Sequence, residues 1–201
     1  MDLPGVWVLY LKTMKTINHP PPIAITPDLA LHEAQESDAP AMYQLIDEHR
    51  AYMREWLPFI DFSQSVADTE LFLRTVTAPG NMQDKVYTIR YQGQMAGIIG
   101  FKAIDRVNKR LEIGYWLGED FQGKGIMLRC CQALLAQAFD HLHMNRIQIR
   151  VGVGNHKSSA IPKKLGFQLE GIERAGEWLR GAFIDLEVYS LLKREWEQQK
   201  A

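Results

Sequence analysis

Cysteine is scarce in this chain: only Cys130 and Cys131 occur, side by side. Neighbours on one presumptive helix cannot close a disulfide on each other, which argues against a disulfide-stapled fold and fits a reducing, cytoplasmic setting. Charge of either sign is not in excess. With 23 Lys and Arg against 24 Asp and Glu the net charge is -1, which argues against the broad basic surface that nucleic acid or an anionic membrane would need. A small or locally charged partner is expected instead. Long apolar runs are also missing. Near the start, Val6 to Leu11 falls far short of the ~18 residues of a membrane span, and it lacks the basic region and small-residue cleavage site of a signal peptide. No interior Pro/Gly/Ser-rich linker divides the 201 residues. One domain over 23–197 is therefore expected, after an N-terminal extension, 1–22, that ends in Pro20-Pro21-Pro22.

What is present is a succession of hydrophobic periods. Ile23 to Ala34 lacks helical spacing and has a turn at Pro27-Asp28, so it predicts a short strand or hairpin. Ala41, Met42, Leu45 and Ile46 predict a helix capped by Ser37 or Asp38 and running to Tyr52 or Glu55. Trp56-Leu57-Pro58-Phe59 breaks it, because a residue before proline is pushed out of the α region. A second helix is predicted over 67–77. The period then changes to two, giving strands at Val86–Tyr91, Met95–Ile104 and Leu111–Leu117, the first pair joined at Gln92-Gly93. Met127, Cys131, Leu134, Ala138 and Leu142 mark one helical face. A strand at Ile147–Val153 and a short helix over 158–165 follow, the helix closed by Gly166. Two strands, Phe167–Leu179 and Phe183–Leu192, turn at Arg180-Gly181. The order β-α-α-β-β-β-α-β-α-β-β implies an α+β fold, a mixed sheet covered by helices.

Between a strand and the long helix lies Asp120-Phe121-Gln122-Gly123-Lys124-Gly125-Ile126-Met127. A nucleotide phosphate loop of the form G-x-x-x-x-G-K would start at Gly118, but Gly125 stands where Ser or Thr would ligate magnesium. A dinucleotide fingerprint fails as well, since Leu128 occupies the third glycine position. A third reading needs only a phosphate at a helix N-terminus, cradled by unpaired N–H groups and the positive dipole end. Lys124 either adds a charge there or points into solvent. The plain alternative is that both glycines serve a tight turn.

Tyr115 to Met127 resembles the acetyl-CoA pyrophosphate loop of the GNAT superfamily of N-acetyltransferases, Q/R-x-x-G-x-G/A. Gln122 and Gly125 match, and Met127 replaces the usual Gly or Ala, as in the branch of ribosomal-protein N-terminal acetyltransferases. Asn155-His156-Lys157-Ser158 followed by Gly166-Phe167 is similar to the N-x-x-S…GF segment of the same branch. The resemblance spans 29–192. It implies a three-layer fold whose central, mostly antiparallel, twisted sheet has six to seven strands flanked by about four helices. It also implies acetyl-CoA as cosubstrate, bound by backbone of Gln122, Gly123, Lys124, Gly125, Ile126 and Met127, by a splayed strand ending at Leu117, and by Asn155 and Ser158.

Acetyl transfer to an amine needs an oriented thioester, a neutral amine, oxyanion donors and a proton for the departing thiolate. The resemblance makes Ser158 the candidate acid; helix capping is the alternative for both Asn155 and Ser158. Glu177, nineteen positions after Ser158, matches the branch's Ser and Glu pair as general base acting through water. Desolvation by Trp178 would raise its pKa. Glu112 is the runner-up. An α-amine, with a pKa near 8, needs a weaker base than a lysine near 10.4, which favours a protein N-terminus such as that of a ribosomal protein. Trp56, Leu57 and Phe59 either wall the acceptor cleft or anchor a loop, and Arg54 is placed to face an acidic acceptor. A polyamine or small-amine acetyltransferase and a non-catalytic acyl-CoA sensor are the rivals. His141 and His143 at a helix end suit the dipole better than a metal, and no metal is expected. Cys130 and Cys131 read as small packing residues. No nucleic-acid or membrane partner is expected, and a homodimer is a candidate assembly.

Overall fold

The computed structural model describes residues 20–200, so most of the 1–22 extension lies outside the described residues. Eight strands form one sheet in the order β1-β2-β3-β4-β5-β6-β8-β7. They are β1 Ile23–Thr26, β2 Leu29–Glu33, β3 Lys85–Tyr91, β4 Gln94–Asp105, β5 Arg110–Leu117, β6 Arg146–Gly152, β7 Gln168–Leu179 and β8 Ala182–Leu192. Every neighbouring pair is antiparallel except β5 and β6. The α+β fold expected from the sequence is the one found, with an extra strand because Ile23 to Ala34 makes a true hairpin. Gln92-Gly93 and Arg180-Gly181 have positive φ at both residues, the backbone of the tight turns that match strand twist.

Among the described residues six helices cover the sheet: α1 Ala39–Glu48, α2 Arg50–Met53, α3 Val66–Val76, α4 Ile126–Ala136, α5 His156–Lys164 and α6 Lys193–Lys200. The alternation of strand side chains produces two cores, one on each face. On one face α4 buries Ile126, Cys130, Cys131, Leu134 and Leu135 against Ile99, Phe101, Ile113 and Ile149. On the other, Met42, Leu45 and Ile46 of α1 and Leu73 of α3 meet Met95 and Trp116. Truncating one such buried leucine to alanine costs about 2–5 kcal/mol.

The single helix expected from residue 38 to 52–55 is instead α1 and α2, parted at His49, whose backbone leaves the helical region. Arg50 explains the break. Its guanidinium donates to the carbonyls of Ile60 at 2.9 Å and Ser63 at 2.8 Å, fastening the tryptophan-bearing loop behind it. Pro58 opens a short 3-10 turn to Asp61 within that loop. The long helix also ends differently: after Ala136 it widens into a π turn, Gln137–His141. The last helix, α6, had no counterpart in the sequence reading. Its Trp196 stacks on Phe139 with centroids 5.9 Å apart, so a polar-looking tail is pinned by one aromatic.

Candidate active site

The site begins where the sheet opens. β5 and β6 pair only at Arg110 with Arg146, Leu111 with Ile147 and Glu112 with Gln148, yet β5 continues to Leu117 and β6 to Gly152. Beyond Glu112 the two strands part, leaving that edge of β5 without a strand partner and its backbone groups available to a ligand. Two cavities fill the opening, of about 510 and 500 Å³. They share Trp56, Leu57, Tyr115, Trp116, Asn155 and Ser158, which form the neck between them.

The smaller cavity lies against the start of α4. Gly123 and Gly125 have φ of +72 and +68, a region costly for any residue with a Cβ. A Cβ at either would meet nothing within 4 Å, so the dihedral and not the space demands glycine. Gly125 is the N-cap and offers no side chain to the first turn. Among the described residues nothing accepts from the amides of Gly123 to Leu128, so six N–H groups at the positive end of the helix are left open to a ligand. Gln122, Gly123, Gly125, Ile126 and Met127 line this cavity, as does Leu117. Lys124 does not. Its ammonium sits over the rings of Phe121 and Tyr91, at 5.6 and 5.9 Å, which takes its side chain out of the set expected around a phosphate and leaves only its backbone amide there.

At the neck, Asn155 is the N-cap of α5, its Oδ1 accepting from the Ser158 amide at 3.1 Å. The capping role considered for both residues thus belongs to Asn155. Ser158 uses its hydroxyl elsewhere, donating to the Tyr115 oxygen at 3.3 Å, while the Tyr115 hydroxyl donates to the Ser158 carbonyl at 3.1 Å. Pro162 makes this exchange possible: it has no N–H to give to the carbonyl four residues back, which is that of Ser158. Burial pushes the Tyr115 phenol far above its ordinary value and keeps it a neutral donor. From the sequence Tyr115 enters as a strand residue and as the start of the loop segment, with no role for its side chain; a phenol on a strand just before the glycine loop was the available signal.

Glu177 lines the larger cavity, half-buried. A bulge in β7 aims it there: the pairing with β8 jumps from Glu173 opposite Leu186 to Glu177 opposite Ile184. Ala175 takes a φ of +52 inside the bulge, and its amide donates to the Asp185 carboxylate at 2.8 Å. Desolvation raises the Glu177 pKa, opposed by Lys102 and Arg150 and assisted by the charges of Glu112 and Glu173. Trp178 is not the cause. It points to the opposite face, 55% exposed, against Phe183. Glu112 lines the same cavity but is held by Arg150 Nε at 2.8 Å and Lys102 Nζ at 3.1 Å, so both its oxygens are engaged by cations.

Trp56, Leu57 and Phe59 line the larger cavity. The Trp56 ring rests over Gly152 and Gly154 at the end of β6, where a Cβ would lie 3.2 and 3.6 Å from it. Arg54 lies outside this lining, exposed and paired with Asp61 at 2.5 and 3.2 Å. Cys130 and Cys131 are fully buried in the core. Among the described residues no three His, Cys, Asp or Glu side chains gather as a metal site, and no helix is long and apolar enough to cross a membrane.

A parallel strand pair split over a glycine-started helix, with a hydroxyl at the neck and a carboxylate lining the larger cavity, is an arrangement suited to an acyl-carrier-dependent transferase. Residues 28–168 match the acetyltransferase (GNAT) domain, and the chain belongs to that family of acetyl-CoA-dependent N-acetyltransferases. It is 37% identical over 83% of its length to YdaF of Bacillus subtilis, a candidate ribosomal N-acetyltransferase, covering 92% of that protein. It is 32% identical to the ribosomal-protein-serine acetyltransferase of Escherichia coli, covering 84% of this chain and 94% of that one. The solved structure of RimL, a ribosomal L7/L12 alpha-N-protein acetyltransferase in complex with coenzyme A, superposes with a TM-score of 0.81 at 33% identity, over 86% of this chain and 98% of that one.

Proposed function

We propose that this enzyme acetylates the N-terminal α-amine of a protein, of the ribosomal class its relatives are named for, in the cytoplasm and by direct transfer within a ternary complex. One observation carries this reading: the two cavities differ in charge and meet at a single neck. The cavity at α4 is lined by Lys157 and Lys164 and by no carboxylate. The other is lined by Asp84, Glu112 and Glu177 beside Lys102 and Arg150. An anionic carrier suits the first and an amine the second.

Acetyl-CoA, when bound, supplies an acetyl group activated as a thioester. The chain's own groups do the rest. The amides of Gly123 to Leu128 fit a diphosphate, and the open edge of β5 to Leu117, with Asn155, fits an amide-bearing arm. Glu177, its pKa raised, takes the ammonium proton of the acceptor, directly or through water, and the amine is left nucleophilic. Ser158 holds a hydroxyl proton at the neck, backed by the neutral Tyr115 phenol, where a departing thiolate needs one. Trp56, Leu57 and Phe59 wall the acceptor's path. The amine's basicity narrows the acceptor: a single carboxylate suffices near pKa 8 and is poorly matched to 10.4.

The test follows thiol release from acetyl-CoA with peptides ending in serine or alanine, spermidine and an internal-lysine peptide. Turnover with the first two is expected. Preference for spermidine would replace the protein acceptor by a polyamine, and tight CoA binding with no turnover on any amine would leave a sensor.

A further inference from the structure

The amides at the head of α4 carry no formal charge, so a cation beside them would strengthen the hold on a diphosphate seated there. Lys124 is turned onto two rings, and Arg129 donates to the carbonyls of Gly125 and Lys124 at 3.4 and 3.3 Å. Neither lines the cavity. Lys157, in the first turn of α5, does. Its ammonium donates to Gln122 Oε1 at 3.0 Å and stands 5.2 Å over the Tyr52 ring, and Gln122 Nε2 donates to the Tyr52 hydroxyl. Three separate elements, α2, the glycine loop and α5, thus close a triangle of side chains over the cavity. Among the described residues Lys157 has no carboxylate partner.

We infer that Lys157 is a phosphate ligand of the carrier site, held on Gln122 and Tyr52 beside the amide cradle until the diphosphate of an acyl-CoA takes it over. The inference rests on the carrier-site reading above. An ammonium bonded to a neutral amide oxygen and an aromatic face exchanges them for a phosphate with net gain, because the phosphate oxygen carries a full opposite charge where Gln122 offers only a dipole and the Tyr52 ring only its quadrupole. Its contact with Gln122, next to Gly123, places it at the diphosphate. Lys164 is two helical turns further along the same face, roughly 10 Å away.

Calorimetric dissociation constants for CoA, dephospho-CoA and pantetheine, with wild type, Lys157→Met and Lys157→Arg, test it. Lys157→Met should weaken CoA and dephospho-CoA alike by about tenfold, leave pantetheine unchanged and flatten the salt dependence; Lys157→Arg should retain most of the affinity. Equal binding by wild type and Lys157→Met would overturn the inference. So would a loss confined to CoA, which would put Lys157 on the 3′-phosphate, or an equal loss for pantetheine, which would mean a collapsed cleft. A wild type that binds no CoA would overturn the carrier reading itself, and this inference with it.

Discussion

Two glutamates sit in one cavity, and their surroundings assign them different work. Glu112 is buried between two cations, and Glu177 is half-buried with none in ion-pair contact among the described residues. Only the ionised Glu177 can accept a proton, so kcat/KM should rise with pH through a pKa above the ordinary carboxylate range. Glu177→Gln should lower kcat by about a hundredfold and abolish that rise; full activity in this variant would return the role to Glu112 or to solvent. The same shift has a stability sign. A carboxyl whose folded pKa is raised binds its proton more tightly when folded, so its contribution is present at low pH and lost as pH climbs through the folded pKa. Glu177→Gln should therefore raise Tm at pH 7, on the order of 1 °C, with the gain gone near pH 4. Glu112 acts on this titration from a distance. Its charge raises the Glu177 pKa, so Glu112→Gln should move the acid limb of the pH profile to lower pH, and a profile that stayed in place would sever the two.

Among the elements, the start of α4 has the clearest physical cause. Because a Cβ at Gly125 meets no atom within 4 Å, Gly125→Ala isolates the cost of a left-handed N-cap. The folded protein should lose about 1 kcal/mol, a Tm about 2–4 °C lower, and CoA should bind more weakly as the cradle shifts. Thermal melts and CoA titration read both. Such features were legible beforehand, since periods of two and of 3.6, glycine pairs and Ser/Asn caps are local signals; both tight hairpin turns fall where the sequence puts them, and the cap weighed at Asn155 is present at the head of α5. What was not legible is where non-local contacts override them. Arg50 parts α1 from α2 by bonding carbonyls ten and thirteen residues away, and nothing in the local pattern at His49 foretells that. The β7 bulge is similar: Ala175 and Gly176 look like ordinary strand interruptions, and only the bond to Asp185 across the hairpin reveals how Glu177 is aimed.

At the scale of the whole molecule, the site is a gap in a sheet. The motif around Gly123 and Gly125 pointed to one side of that gap and the Ser158 and Glu177 spacing to the other, but neither disclosed that Tyr115 would join them or that Lys124 and Arg54 would be drawn off by Phe121 and by Asp61. Side-chain destinations depend on what the fold brings alongside, which no spacing records. The two chambers have a kinetic consequence. Two cavities of about 500 and 510 Å³ joined at a neck would let carrier and acceptor be present together when the acetyl group moves. A covalent relay through this chain would need an activated nucleophile at the neck, and the Ser158 hydroxyl there is bonded to the Tyr115 oxygen and not to a base. The thiols are unsuited: burial pushes Cys130 up to about 12 and Cys131 well above its ordinary value, and both are sealed in the core. Initial-velocity plots against acetyl-CoA at several acceptor concentrations should therefore intersect, and Cys130→Ser and Cys131→Ala should retain turnover apart from losses in stability. Parallel lines, with an acetylated enzyme isolable in the absence of acceptor, would show that the two chambers are used in turn and not together.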